Sequence, residues 1–195
     1  MIAPSNPFFS LEQLMKKIAP DGLDGKLPPV ESWHPENCGD IGMEIRRDGS
    51  WWHEGDRIGR ARLVKLFSRI LRKDDDGCIY LVTPYEKVVV HVEDAPFIAV
   101  RVDRAGPAGS DQVLAFTTNL GDVTLLGPDR TLTVRYSGET LEPAPYVRVR
   151  GGLDAKLSRP VFYELVDMAV PSEAEPDILG VWSQGVFFEL GRSEE

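Results

Sequence analysis

The chain has 195 residues, of which 42% are hydrophobic and 27% charged, so it has material for a buried core and is not expected to be disordered. Its 22 Lys and Arg stand against 31 Asp and Glu, and this net charge of −9 disfavours general attraction to nucleic acid or to anionic membrane surfaces. There is no signal-peptide pattern and no apolar stretch of membrane-spanning length, and Cys38 and Cys78 lack the close spacing of a redox or zinc pair. We therefore expect a cytoplasmic protein with reduced thiols, which binds neither membranes nor nucleic acid.

The first predicted element is a short amphipathic helix. Ser10 and Gln13 form a capping box at its start. The apolar residues that follow at helical spacing are Leu11, Leu14, Met15 and Ile18. Repeated Gly and Pro residues then predict an irregular arm as far as Asp40, with Leu27 and Trp33 as its apolar anchors.

A β-hairpin and a helix follow the arm. Alternating residues on either side of Asp48 and Gly49 predict strands over 42–46 and 50–55 joined by a tight turn. The next segment has helical periodicity, with an apolar face that would pack on a core. That face consists of Leu63, Leu66, Phe67, Ile70 and Leu71.

Three short segments rich in β-branched residues predict an antiparallel meander: Cys78–Val82, Lys87–Glu93 and Phe97–Val102. The small residues of Ala105–Ser110 then predict a boundary between two halves.

The second half repeats the pattern of strands before and after a helix. A helix is expected to begin near Ser158. The predicted strands are 113–117, 123–126, 132–136 and 146–150, with a final hairpin of 178–183 and 186–190.

A stretch of the first half recurs in the second. Residues 58–67 align with 157–166 at a constant separation of 99 positions, as between Arg60 and Arg159. Both copies have an Arg at the predicted helix entrance, with apolar residues at matching helical phase and a hairpin afterwards, which favours an internal duplication. The predicted fold class is therefore α+β with two related halves that share a strand-helix-hairpin motif. Its segments are 1–40 for the helix and arm, 41–104 for the first half and 106–195 for the second.

Several longer motifs resemble the bacterial domain-of-unknown-function family 1285. They are Trp33–Pro35, Asp48–Gly55, Ile58–Arg60, Leu81–Lys87, Val92–Phe97 and Gly180–Gly185. The resemblance extends over most of the chain from about Pro28. It implies two halves with a repeated motif, the second loosely similar to pleckstrin-homology-like domains, and a groove between them suspected of binding a ligand or partner. It implies no activity.

The candidate site residues are polar or aromatic groups that we expect to lie at this groove. They are Arg60, Arg159, Trp52, His53, Thr83, Glu86, Lys87 and Asp94. A cation at a helix entrance opposes the macrodipole, so we expect Arg60 and Arg159 either to pair with a carboxylate such as Asp94 or Glu86 or to anchor a bound anion. Trp51 and Trp52 are adjacent in a strand, so one ring should face the core and the other a pocket or surface.

A positively charged strip is predicted over 59–73. Seven basic residues and no acidic one occupy positions 57–73, and residues 62, 65, 69 and 72 would share one helical face. This face is interpreted either as a solvated helix surface or as a docking surface for an anionic partner.

Recognised catalytic signatures are absent from the sequence. The three histidines do not have metal-ligand spacing, and no phosphate-binding loop occurs. Ser183 lacks the setting of a nucleophile elbow. We predict a regulatory or signalling protein that binds a small anionic ligand or a protein partner, without cofactor or metal. The alternatives are a hydrolase or transferase using Glu86, Asp94 and His53, and a scaffold acting through the basic helix 59–73.

Overall fold

The computed structural model describes residues 26–137 and 142–193 of the chain. The chain divides into two compact units, Met1–Asp94 and Ala95–Glu195. This division comes before the predicted boundary, because Ala105–Ser110 lies inside the second unit and connects two paired strands. The helix predicted from Ser10 lies outside the described residues.

The first unit contains one six-stranded sheet and one helix. A 3₁₀ turn, Val30–Ser32, precedes them. The elements are β1 (Asn37–Ile45), β2 (Trp51–His53), β3 (Asp56–Arg57), α1 (Ala61–Arg69), β4 (Leu71–Lys73), β5 (Ile79–Val82) and β6 (Glu86–Val92). The strand order is β3-β2-β1-β6-β5-β4. Its central pair, β1 and β6, is parallel, and the other pairs are antiparallel.

The predicted first hairpin is confirmed. In the β1–β2 pair, Met43 lies opposite His53 and Ile45 opposite Trp51. The turn forms because the Asp48 carboxylate accepts a hydrogen bond from the Ser50 amide at 2.9 Å, and Gly49 adopts a φ of 77°, which favours glycine.

Helix α1 is also confirmed, but it is shorter than its apolar pattern. Phe67 is fully buried and stacks on Trp51 with ring centroids 6.3 Å apart. The helix ends at Arg69, and Leu71 already belongs to β4, a strand that the sequence did not indicate. The last two apolar residues of the pattern, Ile70 and Leu71, are therefore buried by the sheet connection and not by a helical face.

The second unit contains two sheets and one helix. Its elements are β7 (Phe97–Ala105), β8 (Val113–Thr118), β9 (Val123–Leu125), β10 (Leu132–Ser137), β11 (Glu142–Arg150), β12 (Leu153–Leu157), α2 (Arg159–Asp167), β13 (Val170–Pro171), β14 (Ile178–Ser183) and β15 (Val186–Arg192). The larger sheet has the order β10-β11-β12-β7-β8-β9, and β13-β14-β15 form a smaller one. The predicted three-strand meander is wrong in its last member, because β7 pairs with β8 and β12 in this unit.

The six-stranded sheet of the second unit is curled. The hydroxyl of Thr124 on edge strand β9 donates a 3.0 Å hydrogen bond to the carbonyl of Arg148 on β11. These strands are four positions apart in the sheet order, so the sheet must curve back on itself for the bond to form. The units are thus mostly β, with a single short helix in the described part of each.

The two six-stranded sheets are similar in plan. Each joins two antiparallel three-strand sets through a central parallel pair, β1–β6 in one and β12–β7 in the other. The position of the helix differs: α1 lies between the two three-strand sets of its sheet, whereas α2 follows all six strands of the larger sheet and precedes the smaller one. The residue pairing at a separation of 99 positions is maintained only in part. Leu63 and Phe162 are both half-buried, whereas Phe67 is fully buried and Val166 is 43% exposed.

Candidate functional site

The sequence-predicted site residues fall into separate groups. Trp52 and His53 lie on β2, in register with Arg57 and Asp56 of β3. The second group, Thr83, Glu86 and Lys87, lies where β5 turns into β6. Of the others, Arg60 immediately precedes α1, Asp94 follows β6, and Arg159 begins α2 in the second unit.

Thr83 is a structural residue of its turn. Its side chain is buried, its hydroxyl donates to the Glu86 carbonyl at 3.0 Å, and its oxygen accepts the Glu86 amide at 3.1 Å. The hydroxyl is used within the β5–β6 turn.

The acid-base group of the predicted hydrolase or transferase is not assembled. Glu86 is the first residue of β6 and Asp94 comes two residues after its end, so the strand rise of about 3.3 Å per residue separates them by roughly 25 Å. His53 pairs with Met43 near one end of β1, whereas Glu86 pairs with Asn37 at the other end. Proton transfer requires heavy atoms about 3 Å apart, so these three residues do not form one catalytic site.

The expectation that Arg60 and Arg159 pair with a carboxylate is wrong for the described residues. Both side chains are exposed, and neither forms a hydrogen bond or ion pair with a residue of 26–137 or 142–193. A bound anion remains a prediction for these two residues.

The adjacent tryptophans divide as the strand alternation predicts. Trp51 is 1% exposed and packs on Phe67, whereas Trp52 is half-buried. The Arg46 guanidinium lies 3.6 Å from the Trp52 ring centroid, and the Trp52 indole N–H donates to Ser50 Oγ at 2.7 Å. Trp52 is thus partly covered by side chains of its own hairpin.

The basic strip is also divided by the fold. Residue 72 is not on the helix with 62, 65 and 69, because α1 ends before it. Arg72 lies on β4 and is 8% exposed. The prediction of a four-residue helical docking face is therefore wrong at this position.

Arg72 instead fixes the arm that precedes β1. Its Nη1 donates to the carbonyls of Val30 at 2.7 Å and Trp33 at 2.6 Å. Its Nε and Nη2 donate to Asp74 at 2.5 and 3.2 Å. Arg69 Nη2 adds a 2.7 Å bond to the Lys26 carbonyl. The described part of the arm is therefore anchored by arginine bonds to its backbone and by buried Val30. Of the two expected anchors, Trp33 is half-buried and Leu27 is 45% exposed, so the prediction is wrong for Leu27.

Lys87 completes this charged cluster. Its ammonium lies 2.6 Å from Asp74 Oδ2 and 4.1 Å from the Tyr80 ring centroid. Burial alone would raise the pKa of Asp74, but hydrogen bonds from Arg72 and Lys87 outweigh it and lower that pKa. The Tyr80 hydroxyl donates to Asp76 at 2.7 Å; this bond, with burial, raises the pKa of Tyr80.

A cavity of about 390 Å³ lies beside this cluster. Its lining residues are Glu31, His34, Arg72, Lys73, Asp74, Asp75 and Asp76. Four of the seven are acidic and the Arg72 guanidinium is already bonded to Val30, Trp33 and Asp74, so the lining does not suit an anionic ligand. Among the described residues, no set of His, Cys, Asp or Glu side chains is arranged to hold a metal ion.

The larger recess lies within the second unit, between strands β10 and β15. Its volume is about 960 Å³. The lining residues are Leu132, Thr133, Val134, Tyr136, Ile178, Phe187, Phe188, Glu189, Leu190, Gly191 and Arg192. Successive strand side chains point to opposite faces, so a recess lined by consecutive residues of two strands runs along their edges. We call it the edge groove.

The free edge of β10 faces away from β11. Arg148 N donates to Thr131 O at 2.9 Å, which makes Thr131 and Arg148 a hydrogen-bonded pair next to the β10–β11 ladder. Hydrogen-bonded and non-hydrogen-bonded pairs alternate along an antiparallel ladder. The backbone N–H and C=O groups of Leu132, Val134 and Tyr136 therefore point out from the sheet edge.

Two prolines agree with this assignment. Pro145 lies opposite Val134 and Pro143 opposite Tyr136. Proline has no N–H to donate, and these are the positions at which β11 makes no bond to β10. The two prolines of β11 therefore agree with backbone N–H and C=O groups of Val134 and Tyr136 that point away from β11.

The other side of the edge groove is β15. This strand pairs only with β14 among the described strands, so its second edge is free. A Cβ at Gly191 would lie 3.6 Å from the Tyr136 hydroxyl, which shows that the strands approach closely at one end. Tyr136 is 56% exposed, and Phe187 is half-buried against Trp182 at a ring separation of 5.3 Å.

Sequence reasoning found both strands and missed the edge groove. The alternating residues Leu132, Val134 and Tyr136 would equally fit a strand that packs on a core. Only the strand order shows that β10 is an edge.

Comparison with known families accounts for nearly all of the described chain. The model of the N-terminal domain of the domain of unknown function DUF1285 matches residues 28–95, and that of the DUF1285 C-terminal domain matches residues 96–190. The chain belongs to the DUF1285 family. The boundary between the two family domains lies within one residue of the division between the compact units.

Two solved DUF1285 structures are similar to this chain. A DUF1285 family protein from Silicibacter pomeroyi DSS-3 is 43% identical, with a TM-score of 0.80 over 88% of this chain and 96% of that one. A DUF1285 family protein from Shewanella baltica OS155 is 32% identical, with a TM-score of 0.51 over 66% of this chain and 92% of that one. No curated protein matches the chain. Within residues 26–137 and 142–193, neither helix has the length and apolar character of a membrane span.

Proposed function

We propose that this DUF1285 protein is a cytoplasmic, non-catalytic regulatory or signalling module that binds an extended segment of a partner protein in the edge groove. The observation that carries the proposal is the free edge of β10, whose outward backbone groups at Leu132, Val134 and Tyr136 adjoin an apolar recess. The exposed, unpaired Cys38 and Cys78 are consistent with a reducing compartment.

Strand addition explains why this surface favours a peptide. An incoming strand gains main-chain hydrogen bonds from the edge, and its alternate side chains enter the recess, which together give affinity and specificity. The six residues of β10 extend over about 20 Å, and β15 lies close to the Tyr136 end of this length, so the proposed partner pairs with the rest of the edge, around Val134. Apolar lining from Val134, Phe187 and Leu190 would bury the alternate side chains.

The other functions fit the described residues less well. The separation of Glu86 from Asp94 argues against the predicted acid-base site. The position of Arg72 on β4 weakens the scaffold surface of helix 59–73. We retain the anion site as a second proposal because Arg60 and Arg159 are exposed and unpaired among the described residues. The pleckstrin-homology likeness of the second half also stays a proposal.

The decisive experiment measures binding of the full chain to an array of octapeptides. Val, Leu or Phe would alternate with Thr in these peptides, so that each can extend β10. We expect at least one to bind, with Val134→Pro weakening its affinity by about tenfold relative to Val134→Ala, because proline removes an outward N–H and alanine keeps it.

Controls separate backbone pairing from damage to the fold. Val134→Pro should keep the circular dichroism spectrum of the parent, because the Val134 N–H is not part of the β10–β11 ladder. A peptide N-methylated at the nitrogens that face β10 tests the same bonds from the partner's side. Equal binding by both Val134 variants and by methylated and unmethylated peptides would contradict strand addition.

A further inference from the structure

The edge groove has one charged lining side chain without an internal partner. Its polar lining residues are Thr133, Glu189 and Arg192. Arg192 bonds to the carboxylates of Asp177 and Glu175. Glu189 is exposed and forms no ion pair with any residue of the described ranges. The groove therefore presents a single uncompensated negative charge beside its apolar lining.

Glu189 lies two residues from the apolar side chain of Phe187 on the same strand. Phe187 and Glu189 are two residues apart on β15, so their side chains leave the same face of the strand. The exposure pattern agrees, since Phe188 and Leu190 between and after them are buried. An extended partner has the same two-residue period, so adjacent same-face side chains of the partner meet Phe187 and Glu189 in turn.

We propose that the partner segment carries an apolar residue followed or preceded, two positions away, by a Lys or Arg that pairs with Glu189. This inference rests on the proposed function and specifies the chemistry of its ligand. The apolar side chain covers Phe187, and the cation is placed over the one unpaired carboxylate of the groove. A carboxylate in the partner at that position would face Glu189 as a like charge, which selects against acidic segments.

Matched peptides test this spacing with the full-length protein. Three octapeptides of equal composition of apolar residues and Thr would carry Val and Lys two positions apart, Val and Lys one position apart, or Val and Glu two positions apart. We expect the first to bind about three- to fivefold more tightly than the other two at low ionic strength, and its advantage to shrink as salt is added.

A charge exchange at Glu189 identifies the partner of the Lys. Glu189→Lys should reverse the preference toward the Val and Glu peptide, and Glu189→Gln should remove the preference while leaving apolar binding intact. Glu189 is exposed and outside every described ion pair, so both variants are expected to fold. Glu164, exposed on α2, supplies a matched control, since Glu164→Lys should leave the ranking unchanged.

The outcomes separate the two proposals. If all three peptides bind equally and Val134→Pro weakens each of them, strand addition stands and the cation preference is overturned. If no octapeptide binds the parent, both proposals are overturned. If sedimentation shows a dimer that Val134→Pro dissociates, the edge is occupied by a second copy of the chain, and the cationic partner is overturned.

Discussion

Arg72 and Asp74 are joined by two hydrogen bonds, from Nε to Oδ1 at 2.5 Å and from Nη2 to Oδ2 at 3.2 Å. The same guanidinium also donates to the carbonyls of Val30 and Trp33. A single buried side chain thereby connects the arm, the start of β4 and the segment after it. Its removal affects all three.

Arg72→Ala should lower the free energy of unfolding by about 3 kcal/mol, because a half-buried carboxylate and two backbone carbonyls lose their donor. Arg72→Lys should fall between the parent and the alanine variant, since one ammonium cannot reproduce the forked geometry. Urea unfolding of purified variants measures both changes.

Arg62→Ala is the matched control for this prediction, because Arg62 is exposed on α1. It should change the free energy of unfolding by less than about 0.5 kcal/mol. Equal losses for Arg62→Ala and Arg72→Ala would show that the arm bonds contribute nothing to stability.

Asp74 makes stability depend on pH in the acidic range. Burial raises the folded-state pKa of Asp74, but the hydrogen bonds from Arg72 and Lys87 lower it by more. The folded-state pKa therefore lies below the unfolded value of about 3.9. A lowered folded-state pKa gives stabilisation that is fully present above pH 4 and is lost as pH falls through the folded-state value.

Asp74→Asn should therefore be less stable than the parent at pH 7, and the difference should narrow as pH falls below about 4. Thermal unfolding at pH 7, 4 and 3 measures the difference. Asp75→Asn, at the exposed neighbouring position, should show little change across this range. A difference that stayed constant with pH would exclude the ionised Asp74 as its source.

Ser183 is a core hydrogen-bonding residue. Its hydroxyl donates to the Leu126 carbonyl at 2.7 Å and accepts the Leu114 amide at 3.0 Å, and the residue is fully buried. Ser183→Ala should cost about 1–3 kcal/mol of unfolding free energy, because it leaves the buried Leu114 amide without a partner and leaves the Leu126 carbonyl with Gln184 Nε2 as its remaining side-chain donor. Differential scanning calorimetry against the exposed-site control Ser110→Ala tests this, and a melting temperature unchanged from the parent would rule it out.

Arg60 and Arg159 should be dispensable for stability in the absence of ligand. Both are exposed and unpaired among the described residues, so Arg60→Ala and Arg159→Ala should each change unfolding free energy by less than about 0.5 kcal/mol. Melting curves of the parent and both variants against inorganic phosphate and pyrophosphate then test the anion proposal. The anion proposal is supported if either anion raises the melting temperature of the parent and this rise is lost in Arg60→Ala or Arg159→Ala. It is contradicted if neither anion raises the melting temperature of the parent.

The sequence by itself determined most of the elements of this protein. Local chemistry places the hairpin turn at Asp48 and Gly49 and begins α2 just after Ser158, where Pro160 occupies the first turn, because turn and helix-start preferences depend on a few neighbouring residues. The same reasoning correctly divided the rings of Trp51 and Trp52, since strand alternation is a property of the backbone.

The tertiary structure alone decided how those elements are used. Arg72 continues a helical pattern of basic residues, yet it lies on a strand and holds an arm some forty positions earlier in the chain. Strand β7 comes directly after β5 and β6 of the first unit in the chain, but its partners β8 and β12 belong to the second unit. The basic pattern that includes Arg72 does not show which distant carbonyls it will bond, and the strand pattern of β7 does not show which strands it will pair with.

The edge groove has the same origin. The apolar alternation at Leu132, Val134 and Tyr136 predicts a strand, but the position of β10 at a sheet edge depends on the pairing of the whole second unit. Likewise, the sequence contains both Glu189 and Arg192, and only the folded chain pairs Arg192 with Asp177 and leaves Glu189 available. Side-chain type is local information, whereas neutralisation of a charge depends on neighbours that long-range folding brings together.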